Sequence, residues 1–381
     1  MRLTQTFLTV LRARALRMVL VLLSMWAGLA LAPDTRDAIL SAGNFSNLTA
    51  QVAEIVILGV GMTLVILIGG IDLSVGAGMA LTGVIVAKLQ IDYHQSAIVA
   101  CLTALGVAGL IGLWHGLLVT RFRIPPFIAT LGGFLSYRGV ALVLSDARGL
   151  SPMGNDFRAL GARLPPSVSL GMVAGGLGVG LALVALRERR RRAYLLAPTA
   201  TTVLGLRYGA IVVVGAFAAF CYQDGMPVPV LLAALTAAAG AVLLRRTRLG
   251  RYAFAIGGND EAARLSGVPV ERATLAIYAI AGLCTALAGI VATARTNGVT
   301  PGNAGLSREL HVITAVVIGG TSLTGGRGTM VGTVIGALIF GTLGNGMNFL
   351  NISSNWQLIL TGAILLGASL LDSLSTQKRH P

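Results

Sequence analysis

Nearly all of this chain is cut into long apolar runs separated by a few glycines, prolines or charges, and that alone limits what it can fold into. The runs cover residues 18–32, 52–70, 73–89, 97–119, 126–145, 168–186, 195–220, 228–244, 273–294, 311–320, 329–350 and 356–371. A helix needs roughly 20 apolar residues to cross a bilayer, and most runs reach that length with their flanks. The run 311–320 falls short, which predicts a half-helix or re-entrant segment. Only 11% of the 381 residues are charged, where a soluble domain carries about 25%. In hydrocarbon every backbone N–H and C=O must be satisfied within the protein, so helices are the expected element. The pattern predicts one all-α, polytopic integral membrane domain over 1–381, with about ten to twelve transmembrane helices. Fifty glycines and few aromatics suit helices packed closely through small residues.

The formal charge of +15 does not mark a nucleic-acid binder, because its placement follows the apolar runs. Arginines cluster between them: Arg12, Arg14 and Arg17; Arg121 and Arg123; Arg187 and Arg189 to Arg192; Arg245, Arg246, Arg248 and Arg251. Loops so marked lie on the cytoplasmic side by the positive-inside bias. Alternation then predicts a cytoplasmic N-terminus over 1–17 and a cytoplasmic tail over 373–381 with Lys378 and Arg379. Asp34, Asp37, Asp92 and Asp224 fall outside. The first segment mimics a secretion signal, ending in Ala30-Leu31-Ala32; ahead of so many spans it reads as an uncleaved first helix. Cys101, Cys221 and Cys284 lack metal-ligand spacing and read as packing residues, so no metal is expected.

Two distant stretches share a pattern. Residues 68–78, Ile-Gly-Gly-Ile-Asp-Leu-Ser-Val-Gly-Ala-Gly, align without gaps on 318–328, Ile-Gly-Gly-Thr-Ser-Leu-Thr-Gly-Gly-Arg-Gly. The identities continue as Val84/Val334, Ile85/Ile335 and Ala87/Ala337. An internal repeat with broken helices is predicted, since glycines permit the backbone angles of a break. Broken backbone at membrane depth survives only where it is buried or lines a cavity. That makes Asp72, Ser74, Gly76, Thr321, Ser322 and Thr324 candidate walls of a translocation path. Residues 165–225 form an extra block, two apolar runs flanking an arginine cluster, and read as an inserted helical hairpin whose arginines meet lipid headgroups.

Asp72 is a carboxylate inside a long apolar region, which by default is a functional-site hypothesis. The structural alternative is a cap on the helix starting near Leu73. Glu54, early in its run, reads as interfacial, and Trp114 with His115 as an interfacial anchor. Tyr137 and Arg138 read as buried pairing or snorkelling. Asn345, Asn348, Asn351 and Asn355 with Trp356 make a polar external stretch that suits a sugar or an ordinary loop. The loop 245–272 holds too much charge to span. Glu261-Ala262-Ala263-Arg264-Leu265 favours a short helix, with Asn259 or Asp260 as N-cap, Gly267 as its stop and Pro269 beyond.

In that loop Glu261-Ala262-Ala263, then Gly267 and Ile277, matches most of the spacing of the Glu-Ala-Ala loop of ABC-importer permeases. After Ile277 the chain departs from it, with Tyr278-Ala279-Ile280 in place of the usual Leu-Pro ending. Across 44–372 the chain resembles the permeases of bacterial ABC sugar importers, the group taking up ribose, arabinose, galactose and xylose, whose members resemble one another in lacking that ending. The motifs are Asn44-Phe45-Ser46-Asn47-Leu48, Ile71-Asp72-Leu73-Ser74-Val75-Gly76, Pro126-Phe127-Ile128-Ala129-Thr130-Leu131-Gly132, Ala255-Ile256-Gly257-Gly258-Asn259 and Val317-Ile318-Gly319-Gly320-Thr321-Ser322-Leu323. The inserted hairpin followed by Gly225-Met226-Pro227-Val228-Pro229-Val230 most resembles the D-xylose branch.

The resemblance implies a permease in the bacterial inner membrane that does no chemistry itself and binds no cofactor. Two copies would form the pore, ATP-binding subunits would power it, and a periplasmic sugar-binding protein would deliver a monosaccharide. Gly258, Asn259, Glu261, Ala262, Ala263, Arg264 and Gly267 would couple it to the ATPase. The only lysines are Lys88 and Lys378, so a phosphate-binding loop with its Lys is not expected here. The competing expectation is an ion-coupled secondary sugar transporter with Asp72 as the coupling carboxylate.

Overall fold

A computed structural model of the chain describes residues 14–31, 36–194, 199 and 201–377. Arg12, Asp34, Lys378 and Arg379, and much of both expected terminal segments, lie outside them. The described chain is helical, with two isolated β-bridges, Leu150 to Val299 and Arg163 to Pro227. The principal helices are α1 (Arg14–Leu29), α2 (Ala42–Leu67), α3 (Val75–Ile91), α4 (Ala97–Thr120), α5 (Pro126–Leu144), α6 (Pro166–Ala193) and α7 (Thr201–Cys221). They continue as α8 (Val228–Arg246), α9 (Arg248–Gly258), α10 (Asp260–Leu265), α11 (Val270–Thr296), α12 (Arg308–Ile318), α13 (Met330–Phe349) and α14 (Ser354–Gln377). Among the described residues eight helices are long and apolar enough to cross a membrane, and α1 and α3 are shorter apolar helices. The chain is an all-α, polytopic membrane protein.

The core is arranged around α2, with α11, α13, α8 and α12 packed on it. Of its most apolar window 89% is buried by protein, against 6% for α6 and none for α7. Without a hydrophobic force between helices in lipid, close approach through small residues does the packing. Gly112 and Gly116, four apart on α4, meet the backbone of α11 at Tyr278 and Leu275, and Gly282 of α11 meets the carbonyl of Ala108. The two helices of the 165–225 block pack on each other through Gly180 against Ile211 and Gly215 against Leu177. They join the rest at a small cluster of Phe45, Cys221 and Tyr222, with Phe217 edge-on to Phe45 at 4.9 Å.

Both repeat stretches end a helix in the same way. At the end of α2 the N–H of Gly69 donates to Ile66 (2.9 Å) and that of Gly70 to Val65 (3.0 Å). At the end of α12 Gly320 donates to Val317 (2.8 Å) and Thr321 to Val316 (3.1 Å). This paired 5→2 and 6→1 closure needs a left-handed residue, and glycine supplies it. The left-handed glycines are Gly69 (φ 79°) and Gly320 (φ 90°), one column apart in the gapless alignment. After the break the copies diverge: α3 begins at Val75, whereas the chain turns through Ser322 to Arg327 before α13 begins at Met330.

Segment 311–320 falls within and just beyond α12, which is only eleven residues long. Before it, residues 297–307 run back along α3. Val299 lies over Gly83, and Gly305 lies so close to Gly76 that a Cβ on either would overlap the other's carbonyl oxygen. Arg138 of α5 holds this stretch, its Nη1 donating to the carbonyls of Pro301 (2.6 Å) and Ala304 (2.7 Å). The half-helix expected from the short apolar run is therefore present, entered through a re-entrant strand of irregular backbone.

Candidate functional site

Two regions, one at each end of α2, gather the polar chemistry. The first is the loop between α8 and α11. Thr247 starts α9, its hydroxyl accepting from the Gly250 N–H at 3.2 Å. Asn259, not Asp260, caps α10, its Oδ1 accepting from Ala262 N–H at 2.9 Å. Gly267 (φ 81°) stops it, donating to Arg264 at 2.9 Å while Val268 donates to Ala263 at 3.0 Å. Only Ala263 of the short helix is buried, packed on Ile256, Val270 and Ala273. Glu261 is exposed, and Leu265, one turn on along the same face, is 85% exposed. Arg264 is engaged within the chain, 3.7 Å from Asp260 and 3.9 Å from Glu271.

Immediately before this helix, Gly257 sits in a backbone junction. A Cβ there would overlap the Leu67 carbonyl and the Gly326 amide, and Gly326 N–H itself donates to Leu67 O at 2.9 Å. The end of α2, the turn before α13 and the root of α10 thus meet at one point. A cavity of about 620 Å³ beside it is lined by Ile68, Arg123, Asp260, Arg264 and Tyr278 among others. Arg123 and the α8–α11 loop therefore share one end of the bundle.

The second region lies toward the other end of α2. Thirteen residues of helix separate Glu54 from Leu67, about 20 Å at 1.5 Å per residue. There a cavity of about 770 Å³ opens between α2, α11, α12, α13 and the re-entrant strand. Its mouth carries Gln51, Thr300, Asn303, Asn345, Asn348 and Gln357, and its floor Glu54, Arg295, Arg308, His311 and Phe340. Glu54 is 1% exposed, which corrects its reading as an interfacial residue. Its Oε1 takes Nε and Nη2 of Arg295, both at 2.9 Å, and its Oε2 lies 3.2 Å from Nη2 of Arg308. A lone carboxylate at this depth costs several kcal/mol, roughly, so its two partners are what make it tenable. The signal for this site was in the sequence as Glu54, Arg295 and Arg308, but 241 residues separate the first two and no spacing links them.

The residues expected to line a path divide. Asp72 is 4% exposed and its Oδ1 accepts from the N–H (2.8 Å) and hydroxyl (2.6 Å) of Ser74. Those bonds tie Asp72 to Ser74, the residue just before α3, and reach no N–H inside the helix. Ser322 and Thr324 bond to each other at 3.0 Å across the turn before α13, and Thr321 packs on Gly328. None of the six lines the larger cavity; Gly76 is nearest in construction, since it backs the re-entrant strand that does. Trp114 is exposed, but His115 is buried, bonded to the Tyr137 hydroxyl at 3.0 Å.

Residues 44–369 match the family described as branched-chain amino acid transport system, permease component. The xylose transport system permease protein XylH of Escherichia coli is 41% identical over 350 residues, 91% of this chain and 88% of that protein. Its Haemophilus influenzae counterpart is 38% identical, covering 90% of this chain and 92% of that protein. The ribose import permease protein RbsC of Escherichia coli is 37% identical, covering 87% and 85%. No solved structure matches the chain. With the match running from the start of α2 well into α14, the chain belongs to this family of importer permease components.

Proposed function

We propose that this chain is the transmembrane permease of a binding-protein-dependent, ATP-driven importer of a monosaccharide, D-xylose before ribose, arabinose or galactose. The observation that carries the reading is α10: a capped helix whose Glu261 and Leu265 have no partner role in the bundle, rooted in the junction at Gly257. The sugar follows from the relatives named for xylose and ribose, which match more of the chain than any motif does. The α8–α11 loop and both termini face the cytoplasm, as the arginine clusters on that side require. ATP binds a partner subunit and this chain holds no cofactor. A second copy completes the pore, and a periplasmic sugar-binding protein delivers to the cavity mouth.

Closure of the nucleotide-binding subunits pushes on α10. Because Gly257 touches Leu67 and Gly326 backbone to backbone, the push reaches α2 and the α12–α13 turn together, and these carry two walls of the 770 Å³ cavity. Asp72 engaged by Ser74 favours a structural role for it over ion coupling. The test is Glu261→Lys in the assembled transporter. Surface changes cost about 0.5 kcal/mol or less, while a lost charged contact at an interface costs roughly 2–5 kcal/mol. Membrane insertion is expected to stay normal while ATPase co-purification and D-xylose-stimulated ATP hydrolysis collapse. Wild-type hydrolysis and uptake in the variant would remove α10 from the coupling path.

A further inference from the structure

The larger cavity has a composition that a mere passage does not need. A passage for a sugar handed over by another protein requires width and wettability, which serine, threonine and glycine supply cheaply. This floor instead buries a carboxylate and spans it with two guanidinium groups, each about a quarter exposed (28% for Arg295, 27% for Arg308). Glu54 turns Oε1 to two nitrogens of Arg295, while Oε2 lies in ion-pair range of Arg308 without a hydrogen bond. A guanidinium has five N–H donors in a rigid fork, so donors remain on both arginines beyond those that meet Glu54.

We propose, resting on the import reading above, that the permease itself carries a recognition site for one neutral monosaccharide at this floor. Arg295 and Arg308, aligned by Glu54, donate to its hydroxyls, and the amides of Gln51 and Asn348 meet it at the mouth. Three observations fix the ligand class. First, hydroxyl groups both donate and accept, and only amides and hydroxyls answer them in both senses; the mouth is ringed by such groups, Gln51, Asn303 and Asn348 among them. Second, Glu54 already occupies the fork of Arg295, so a substrate carboxylate or phosphate would have to displace a buried carboxylate and leave it unpaired. Third, the rings of His311 and Phe340 lie 4.9 Å apart, tilted at 41°, on the α12–α13 side of the floor, a partly apolar wall against which the C–H face of a sugar ring can pack. An aliphatic amino acid fits less well, since its ammonium group would face two guanidinium groups and its side chain a lining rich in polar groups. The volume, about 770 Å³, lies within the roughly 300–1,000 Å³ usual for small-molecule sites and leaves room for water around a pentose.

The test uses the full-length permease in nanodiscs without its binding protein. Saturation-transfer difference NMR reports saturable contact with D-xylose, D-ribose, D-glucuronate and L-leucine. Saturable D-xylose or D-ribose signals are expected, with no saturable contact from D-glucuronate or L-leucine. Asn348→Ala, at the exposed mouth, and Arg308→Lys, which keeps the charge and loses the fork, are expected to weaken binding about tenfold, the loss of one or two good hydrogen bonds. Gly106→Ala, on the exposed face of α4 with nothing within 4 Å of the added Cβ, should bind as wild type. Pentose uptake by cells carrying the whole transporter separates the two levels. If a pentose is imported but the isolated permease shows no saturable contact, or binds it equally in both cavity variants, the site is refuted and the import reading stands. If D-glucuronate or L-leucine saturates instead, the site as described is refuted. If no pentose is imported or bound, both fall together.

Discussion

Along α2 the chain meets two kinds of surroundings. From Leu48 to Ile55 it borders a hollow space with a buried carboxylate, two arginines and a ring of amides. At Leu67 it is sealed by glycines, with Gly257 and Gly326 against its last carbonyl. The first end keeps polar groups available and is stabilised by charge pairs. The second has almost no side chains in its contact, so neighbouring segments cannot slide without moving one another's backbone. A protein that must both admit a hydrophilic cargo and pass on a mechanical push needs these two materials in different places. A single helix running between them ties the two together. The 165–225 hairpin shares neither property: α6 and α7 present almost all of their apolar windows outward, and their main anchor is the aromatic cluster at Phe45.

The comparison breaks most visibly at Glu54. Glu54→Leu leaves Arg295 and Arg308, each about a quarter exposed, without their shared counter-ion, a loss that approaches the roughly 3–5 kcal/mol of a broken buried pair. The thermal midpoint of the detergent-purified permease should fall steeply, and an unchanged midpoint would mean the arginines are solvated and the cavity floor is not dry. At the sealed end, Gly257→Val forces a side chain into backbone, and overpacking costs roughly 1–3 kcal/mol or more. Gly258, its neighbour, has nothing within 4 Å of a Cβ, so Gly258→Ala is the matched control. The thermal midpoint should drop in the first and stay in the second; equal behaviour would deny the junction.

Asp72 gives a smaller effect, because what it makes are two local hydrogen bonds to Ser74, a typical net contribution being about 0.5–1.5 kcal/mol each. Asp72→Asn keeps an acceptor for Ser74 and should retain uptake better than Asp72→Leu. Uptake driven by a proton gradient and abolished in Asp72→Asn would instead restore the ion-coupled reading. The smallest effect is expected in the loop between α5 and α6. There the Ala97 N–H, donating at 3.0 Å to Asp156, holds that carboxyl below its ordinary value. A depressed carboxyl contributes stability that is present above its unfolded value and lost as pH falls through the folded one. Asp156→Asn should therefore lower the thermal midpoint slightly at neutral pH, and the gap should close in acid. A gap independent of pH would show that charge on Asp156 is not what the α4 terminus uses.

Membership in the helical membrane class, the loop helix and its stop, and the two helix breaks were legible without coordinates, because each depends on local rules. Apolar length, a capping residue followed by Gly267, and paired glycines act within a few residues of chain. The repeat alignment was legible in outline, but its column was not. Whether Gly319 or Gly320 takes the left-handed angle depends on the turn that follows, which differs between the copies. Asp72 could be read as cap or as path from its neighbours alone; the structure ties it to Ser74 across the break.

What sequence alone determined, then, is where helices lie, where they break and which loops carry positive charge. Only the tertiary structure decided what those breaks face. Glu54 and Arg295 stand 241 positions apart, and nothing local distinguishes a carboxylate that will be paired from one left at an interface. Leu67, Gly257 and Gly326 likewise meet only because three distant segments pack together. Local chemistry acts over one helical turn, while a cavity and a junction are properties of helices placed side by side.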